Sequence, residues 1–170
     1  AKEIKKGSKV LDLGTGTGCI GLTLKKLIPS LDMTLVDISE NALEMARQNQ
    51  EKKGLDVTII KSNFLEQVSG PFDIIISNPP YIKEGEEIES IVKENEPSLA
   101  LYGGKDGLDC YRTILNQCKS KLNPKFMIAF EIGCNQREEL LKLIHQELGD
   151  VKVICKKDLS NRDRMIFIFS

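Results

Sequence analysis

The stretch Lys9-Val-Leu-Asp-Leu-Gly14-Thr-Gly16-Thr-Gly18 decides the reading of this chain. A short apolar run ends in three glycines within five residues, and Cys19-Ile-Gly21-Leu then opens a helical pattern. Glycine permits positive φ and lets the backbone pass close under a ligand, at an entropic cost that a simple turn does not require. A strand, a glycine loop and a helix in that order point to a parallel α/β sheet with a ligand over the loop.

The same alternation continues along the chain. Strands are expected at Lys9–Leu13, Met33–Asp37, Val57–Ile60, Phe72–Ser77, Phe126–Phe130, 151–156 and 164–169, and helices near 18–28, 40–53, 107–121 and 135–148. Pro29, Gly54 and Asn123-Pro124 supply stop signals for the first three helices. For the fourth, Asn135 with Glu138 suggests a capping box, and Leu140, Leu141, Ile144 and Leu148 suggest one apolar face. The last two strands are joined by Lys157-Asp-Leu-Ser-Asn-Arg-Asp163, too short for a crossover helix, and should pair antiparallel. The fold expected is therefore α/β: a Rossmann-like, seven-stranded, mostly parallel sheet with helices on both faces and the last strand antiparallel. Residues 1–170 read as a single domain.

Twenty-four basic against 25 acidic side chains give a net charge of −1, which provides no long-range attraction to a polyanion. No apolar run reaches the roughly 20 residues of a membrane span, and the start Ala-Lys-Glu-Ile-Lys-Lys has no apolar signal core, so a cytoplasmic location is expected. Cys19, Cys110, Cys118, Cys134 and Cys155 have no C-x-x-C spacing and read as reduced, mostly buried hydrophobes. With one histidine there is no metal-ligand cluster, and no metal is expected.

Gly16-x-Gly18-x-x-Gly21 matches a nicotinamide dinucleotide pattern, but the glycine at the strand end is Gly14, and counted from there the third position is Cys19. Asp12 places a carboxylate where a pyrophosphate would be repelled, whereas the ammonium of S-adenosyl-L-methionine suits it. Asp37 ends the next strand 19 residues beyond Gly18 and can accept both ribose hydroxyls, which supports an adenosine cofactor of either kind; the lesser alternative is a first-turn acid of the following helix. At the third strand edge, Ser62-Asn63-Phe64 offers an amide and a ring for adenine, with Phe64 alternatively ordinary core.

Strand four ends in Ser77-Asn78-Pro79-Pro80-Tyr81-Ile82. Two prolines lock φ and remove two N–H donors, leaving a rigid face rich in acceptors. A planar NH₂ group needs such a face: the Asn78 side-chain oxygen and the Pro79 carbonyl can take its two hydrogens while Tyr81 packs on the flat group behind it. Catalysis of methyl transfer to such a nitrogen would rest on positioning, with no strong general base.

On these residues the sequence resembles the HemK-type family, the peptide-chain release factor glutamine methyltransferases within the S-adenosylmethionine-dependent methyltransferases. Val10 to Gly18, Phe72 to Ile82, Glu96 to Asp109, Glu131-Ile-Gly133 and Asp158 to Asp163 carry the likeness, and Glu96 to Asp109 is its more family-specific part. The resemblance implies that Gly14 to Gly18 hold the methionine part of the cofactor, Asp37 the ribose, Phe64 the adenine, and Asn78 to Tyr81 a glutamine amide, with the Gly-Gly-Gln glutamine of a release factor as target. The expected catalytic set is Asn78, Pro79, Pro80 and Tyr81; the expected cofactor set is Asp12, Gly14, Thr15, Gly16, Thr17, Gly18, Asp37, Ile38, Asn63, Phe64 and Asn78. The family usually has Asp at the place of Asn63. It also carries an N-terminal helical domain and an Arg-Pro-x-Thr-Glu segment before the first strand, so this chain reads as the catalytic domain alone. Alternatives are a ribosomal-protein glutamine, the exocyclic amine of adenine in nucleic acid, and a silent cofactor-binding scaffold. A nucleic-acid substrate is disfavoured by the acidic run Glu84–Glu96, and no direct nucleic-acid contact is expected. Lys83–Glu96, with six Glu and two Lys, reads as a mobile flap gating the site. His145 reads as a surface group beside the last helix's apolar stripe, and neither it nor Asp163-Arg164 is given a role.

Overall fold

The computed structural model describes residues 5–86 and 101–170. Its elements run β1 (Lys9–Leu13), α1 (Cys19–Leu27), β2 (Asp32–Asp37), α2 (Glu40–Lys53), β3 (Thr58–Lys61), β4 (Phe72–Ser77), α3 (Asp109–Cys118), a 3-10 turn at Lys119–Lys121, β5 (Leu122–Glu131), α4 (Arg137–Leu148), β6 (Lys152–Lys157) and β7 (Asp163–Phe169). They form one seven-stranded sheet in the order β3-β2-β1-β4-β5-β7-β6. Strands β1 to β5 pair in parallel; β7 is antiparallel to β6, as the short connection between them requires, and also to β5.

Successive strand side chains point to opposite faces. On β1, Val10 joins Leu22, Leu31, Met33, Leu35 and Ile74 under α1, while Leu11 and Leu13 join Ile75, Tyr111, Ile114, Phe130, Leu140 and Ile144 under α3 and α4. Both faces are thereby covered. Helix α2 is capped by Ser39, whose side chain accepts from the Ala42 N–H at 3.3 Å, and ends on Gly54 in the left-handed region.

The connection from β1 goes to β2 on one side and that from β4 to β5 on the other, so the crevice at the carboxyl ends of β1 and β4 is the switch point of the sheet. The Ser77 hydroxyl donates to the Leu13 carbonyl at 2.8 Å and ties those two ends together.

Several expectations are corrected. The third helix stops at Cys118, and Asn123-Pro124 falls inside β5, at an irregularity where the register with β4 shifts between Phe72 and Ile74. Proline is tolerated there because the ladder is already broken. The expected capping box at Asn135 is absent: Gln136 precedes α4 and its amide is committed elsewhere. The buried face of that helix is Leu140 and Ile144, with Leu143 and Leu148 packed against the core and Leu141 outside it. Only Cys118 is buried; Cys19, at the start of α1, and Cys134, in the loop after β5, are exposed. Among the described residues no helix is long and apolar enough to cross a membrane, and no group of three His, Cys, Asp or Glu could hold a metal.

Candidate active site

The loop after β1 is built around two carboxylates. Asp12 is buried, and its Oδ2 accepts from the Thr15 hydroxyl at 2.7 Å and the Gly21 N–H at 2.9 Å, which fastens loop and helix start to the strand. Burial pushes its carboxyl up to about 6, with Asp37 adding repulsion and the Thr15 and Gly21 bonds opposing. The carboxylate expected at the strand mouth is thus enclosed, and Asp12 organises the loop from inside. Asp37 is half-buried and does the same from the neighbouring strand end. Its Oδ2 accepts from the Gly16 N–H at 2.8 Å and its Oδ1 from the Ser39 N–H at 2.9 Å.

Gly14, Gly16 and Gly18 all take positive φ, at +66°, +56° and +82°. A Cβ at Gly14 or Gly16 would project into open space, whereas one at Gly18 would strike Leu22 at 2.8 Å. The first two glycines keep the cleft floor bare and the third leaves room for Leu22 of α1, while Gly21, where a Cβ would meet Leu35 and Asp12, lets α1 lie against the sheet. Thr15 is buried; Thr17 is exposed, with its carbonyl accepting from Asn49 at 3.0 Å.

Around this floor stand Ile38, 47% exposed beside Asp37, and the loop after β3. There Phe64 sits at φ +49°, an uncommon conformation for a bulky residue, partly buried against the main core. The loop is fixed by bonds from the Leu65 N–H to Gln117 at 2.8 Å and from the Gln67 N–H to the Ser62 hydroxyl at 2.9 Å. Asn63 donates to Glu66 at 2.7 Å within the same turn.

The second wall is the turn after β4. Asn78 is exposed, Pro79 buried, and Pro80 and Tyr81 half-buried. The turn is braced by residues whose role composition and spacing gave no way to assign. The Ile82 N–H donates to the Leu101 carbonyl at 3.0 Å, and the Gly103 N–H donates back to Ile82 at 2.9 Å. A Cβ at Gly103 would lie 2.5 Å from the Pro80 carbonyl, and one at Gly107 would collide with the Tyr81 carbonyl. These glycines sit within the segment that carried the more specific part of the resemblance, and close backbone approach is the physical reason for them. From the other side, the buried Gln136 amide donates to the carbonyls of Tyr81 and Gly107, each at 3.0 Å, and accepts from the Gly133 N–H at 2.9 Å. No periodicity flags such a residue, because its partners come from three separate segments.

The structure thus brings Asp12, Gly14 to Gly18, Asp37, Ile38, Asn63, Phe64 and Asn78 to Tyr81 to one edge of the sheet, at or next to the switch point. His145 is exposed on α4, its ring Nδ1 3.1 Å from the Gly149 carbonyl, as expected of a surface group. Most of the acidic flap lies outside the described residues. Its described beginning is anchored, with the Glu84 N–H donating to Gly104 at 3.0 Å and the Glu86 N–H to Lys83 at 3.1 Å.

Sheet order, glycine loop and proline turn define the class: this is an α/β methyltransferase fold. It is shared with a crystal structure of a methyltransferase from Pyrococcus furiosus, at a TM-score of 0.73 and 25% identity, covering 99% of this chain and 77% of that one. The chain belongs to the methyltransferase small domain family, whose model matches residues 1–103. It is 37% identical over 163 residues to the release factor glutamine methyltransferase of Bacillus cereus, covering 93% of this chain and 58% of that protein. The release factor glutamine methyltransferase of Clostridium acetobutylicum is likewise 37% identical, over 171 residues, covering 96% of this chain and 60% of that protein. The chain therefore spans about three fifths of the length of these curated relatives.

Proposed function

We propose that this chain transfers a methyl group from S-adenosyl-L-methionine to the side-chain amide nitrogen of a glutamine in a peptide-chain release factor, the Gly-Gly-Gln glutamine being the target. The observation that carries the reading is the placement of the exposed Asn78 amide, in a doubly proline-stiffened turn, one strand away from a bare glycine floor at the switch point. The names of the 37% identical relatives support the substrate class.

The residues present fit the cofactor. Gly14 and Gly16 leave open the space that a Cβ would fill, and each Asp37 oxygen, already holding one backbone N–H, keeps capacity for a further hydrogen bond from a ribose hydroxyl. Phe64 and Ile38 supply apolar surface for the base. When bound, S-adenosylmethionine supplies an electrophilic methyl on a sulfonium sulfur. The chain's own part is orientation. The Asn78 side-chain oxygen and the Pro79 carbonyl accept the two amide hydrogens, and the Tyr81 ring packs on the amide plane, so the nitrogen is held in one attitude. No general base is needed for this; Asp12 is engaged with Thr15 and Gly21, and the amide proton leaves to solvent.

The deciding experiment is mass spectrometry of a release factor incubated with this chain and S-adenosylmethionine. A single added methyl on the Gly-Gly-Gln glutamine is expected. An unmodified release factor alongside a methylated ribosomal protein or adenine oligonucleotide would replace this substrate with that one.

A further inference from the structure

Arg164 joins three segments around the proline turn. It is the second residue of β7, and because β7 runs opposite to β5 it lies at the sheet edge that carries the site. Its Nη1 donates to the Tyr81 hydroxyl at 3.3 Å and to the Ile132 carbonyl at 3.2 Å, and its Nε donates to Asp158 Oδ2 at 3.4 Å. Asp158 is itself pinned, since its Oδ1 accepts from the N–H groups of Ser160 at 2.9 Å and Arg162 at 3.0 Å. Those bonds, led by Arg162, hold its carboxyl below the usual carboxylate range, so it stays charged beside the guanidinium. A planar guanidinium fixed at two of its nitrogens by partners from three directions has one orientation left. Arg164 and Tyr81 also line a cavity of about 530 Å³ beside the turn, together with Glu84, Lys105 and Cys134.

Gln136 holds the main chain of Tyr81, which leaves χ1 and χ2 of that residue unrestrained by it; the Arg164 bond acts at the far end of the ring and restrains both. We propose that Arg164 is a positioning residue for methyl transfer, holding the Tyr81 ring by its hydroxyl in the attitude against which the target amide packs. The proposal deepens the amide-methylation reading and rests on it. It explains why a residue whose work is stacking carries a hydroxyl, and why Asp158 of the β6–β7 turn is held by the Ser160 and Arg162 N–H groups beside Arg164.

The test is a double-mutant cycle read in kcat and KM with release factor and S-adenosylmethionine, using Arg164→Gln, Tyr81→Phe and the double variant, with Arg164→Lys as a milder replacement should Arg164→Gln not fold. Each single change should lower kcat by about tenfold to a hundredfold, the scale of one hydrogen bond to a charged group, with cofactor affinity unchanged. The double variant should be no slower than the slower single one. Losses that multiply, or a parallel fall in cofactor affinity, overturn the proposal. A readout independent of activity is the ring resonance of Tyr81 in protein with ¹³C-labelled tyrosine, assigned by its disappearance in Tyr81→Phe. It should move in Arg164→Gln or Arg164→Lys, and an unchanged resonance refutes the bracket. If the unaltered chain methylates no glutamine while that resonance still moves, the substrate reading fails and the bracket between the two residues stands.

Discussion

The side-chain amide of Gln136 donates to the backbone carbonyl of Tyr81 at 3.0 Å, across 55 residues of sequence. The same amide nitrogen serves Gly107, and its oxygen takes the Gly133 N–H, so one buried side chain holds three loops in register at the site. Its satisfaction is complete, which is what makes so polar a group tolerable at 4% exposure.

Gln136→Leu would strip all three partners at once. Each orphaned buried group costs about 1–3 kcal/mol, partly recovered by water, so a loss of about 3 kcal/mol in unfolding free energy is expected from urea denaturation. Gln136→Glu should also be destabilised, and increasingly so as pH rises, because an ionised carboxylate would then face two carbonyl oxygens. A stability within about 0.5 kcal/mol of the parent for Gln136→Leu would show that the three loops do not depend on this residue.

Asp37→Ala should weaken binding of S-adenosylhomocysteine by about 1.5–3 kcal/mol in calorimetric titration, the scale for hydrogen bonds to a charged group. Because Asp37 also accepts from Gly16 and Ser39, about 1 kcal/mol of folding stability should go with it. An unchanged dissociation constant removes Asp37 from the cofactor site.

Asn78→Ala should act on turnover. Removing one preorganised partner of the reacting group costs about 2.7–4 kcal/mol in barrier, a hundredfold or more in kcat, with cofactor affinity preserved. Equal losses in both quantities would make Asn78 a cofactor or structural residue.

Asp12 gives a pH signature. Its folded value of about 6 lies above the unfolded value of 3.8, so between the two the native state binds more protons than the unfolded chain. The resulting stabilisation is complete below about pH 4 and is lost as pH rises through about 6. Relative to Asp12→Asn, which does not titrate, the parent protein should therefore lose stability by about 3 kcal/mol over that interval. Parallel profiles for the two proteins in urea denaturation at pH 4, 5, 6 and 7 would mean that the buried carboxyl is not destabilised when charged.

The sequence alone determined the elements and their arrangement in a parallel sheet, because strand and helix periods, glycine punctuation and the short β6–β7 connection are local properties of the chain. It also marked Gly14 to Gly18, Asp37 and Asn78 to Tyr81, since loops that expose backbone or lock φ need residue types that little else in a fold requires. What it misassigned were boundaries and contexts: Pro124 looked like a helix stop and lies in a strand irregularity, and Asn135 looked like a cap; nor did it show that Asp12 is enclosed by its loop. Only the tertiary structure decided those, and only it revealed Gln136, Gly103, Gly107 and Arg164 as the supports of the turn. Gln136 and Arg164 act on a partner brought close by the order of strands in the sheet, whereas Gly103 and Gly107 lie against the turn from within the connection between β4 and α3. These hydrogen bonds and close approaches leave no periodic trace in the chain, because each joins residues far apart in sequence whose proximity exists only in the folded protein.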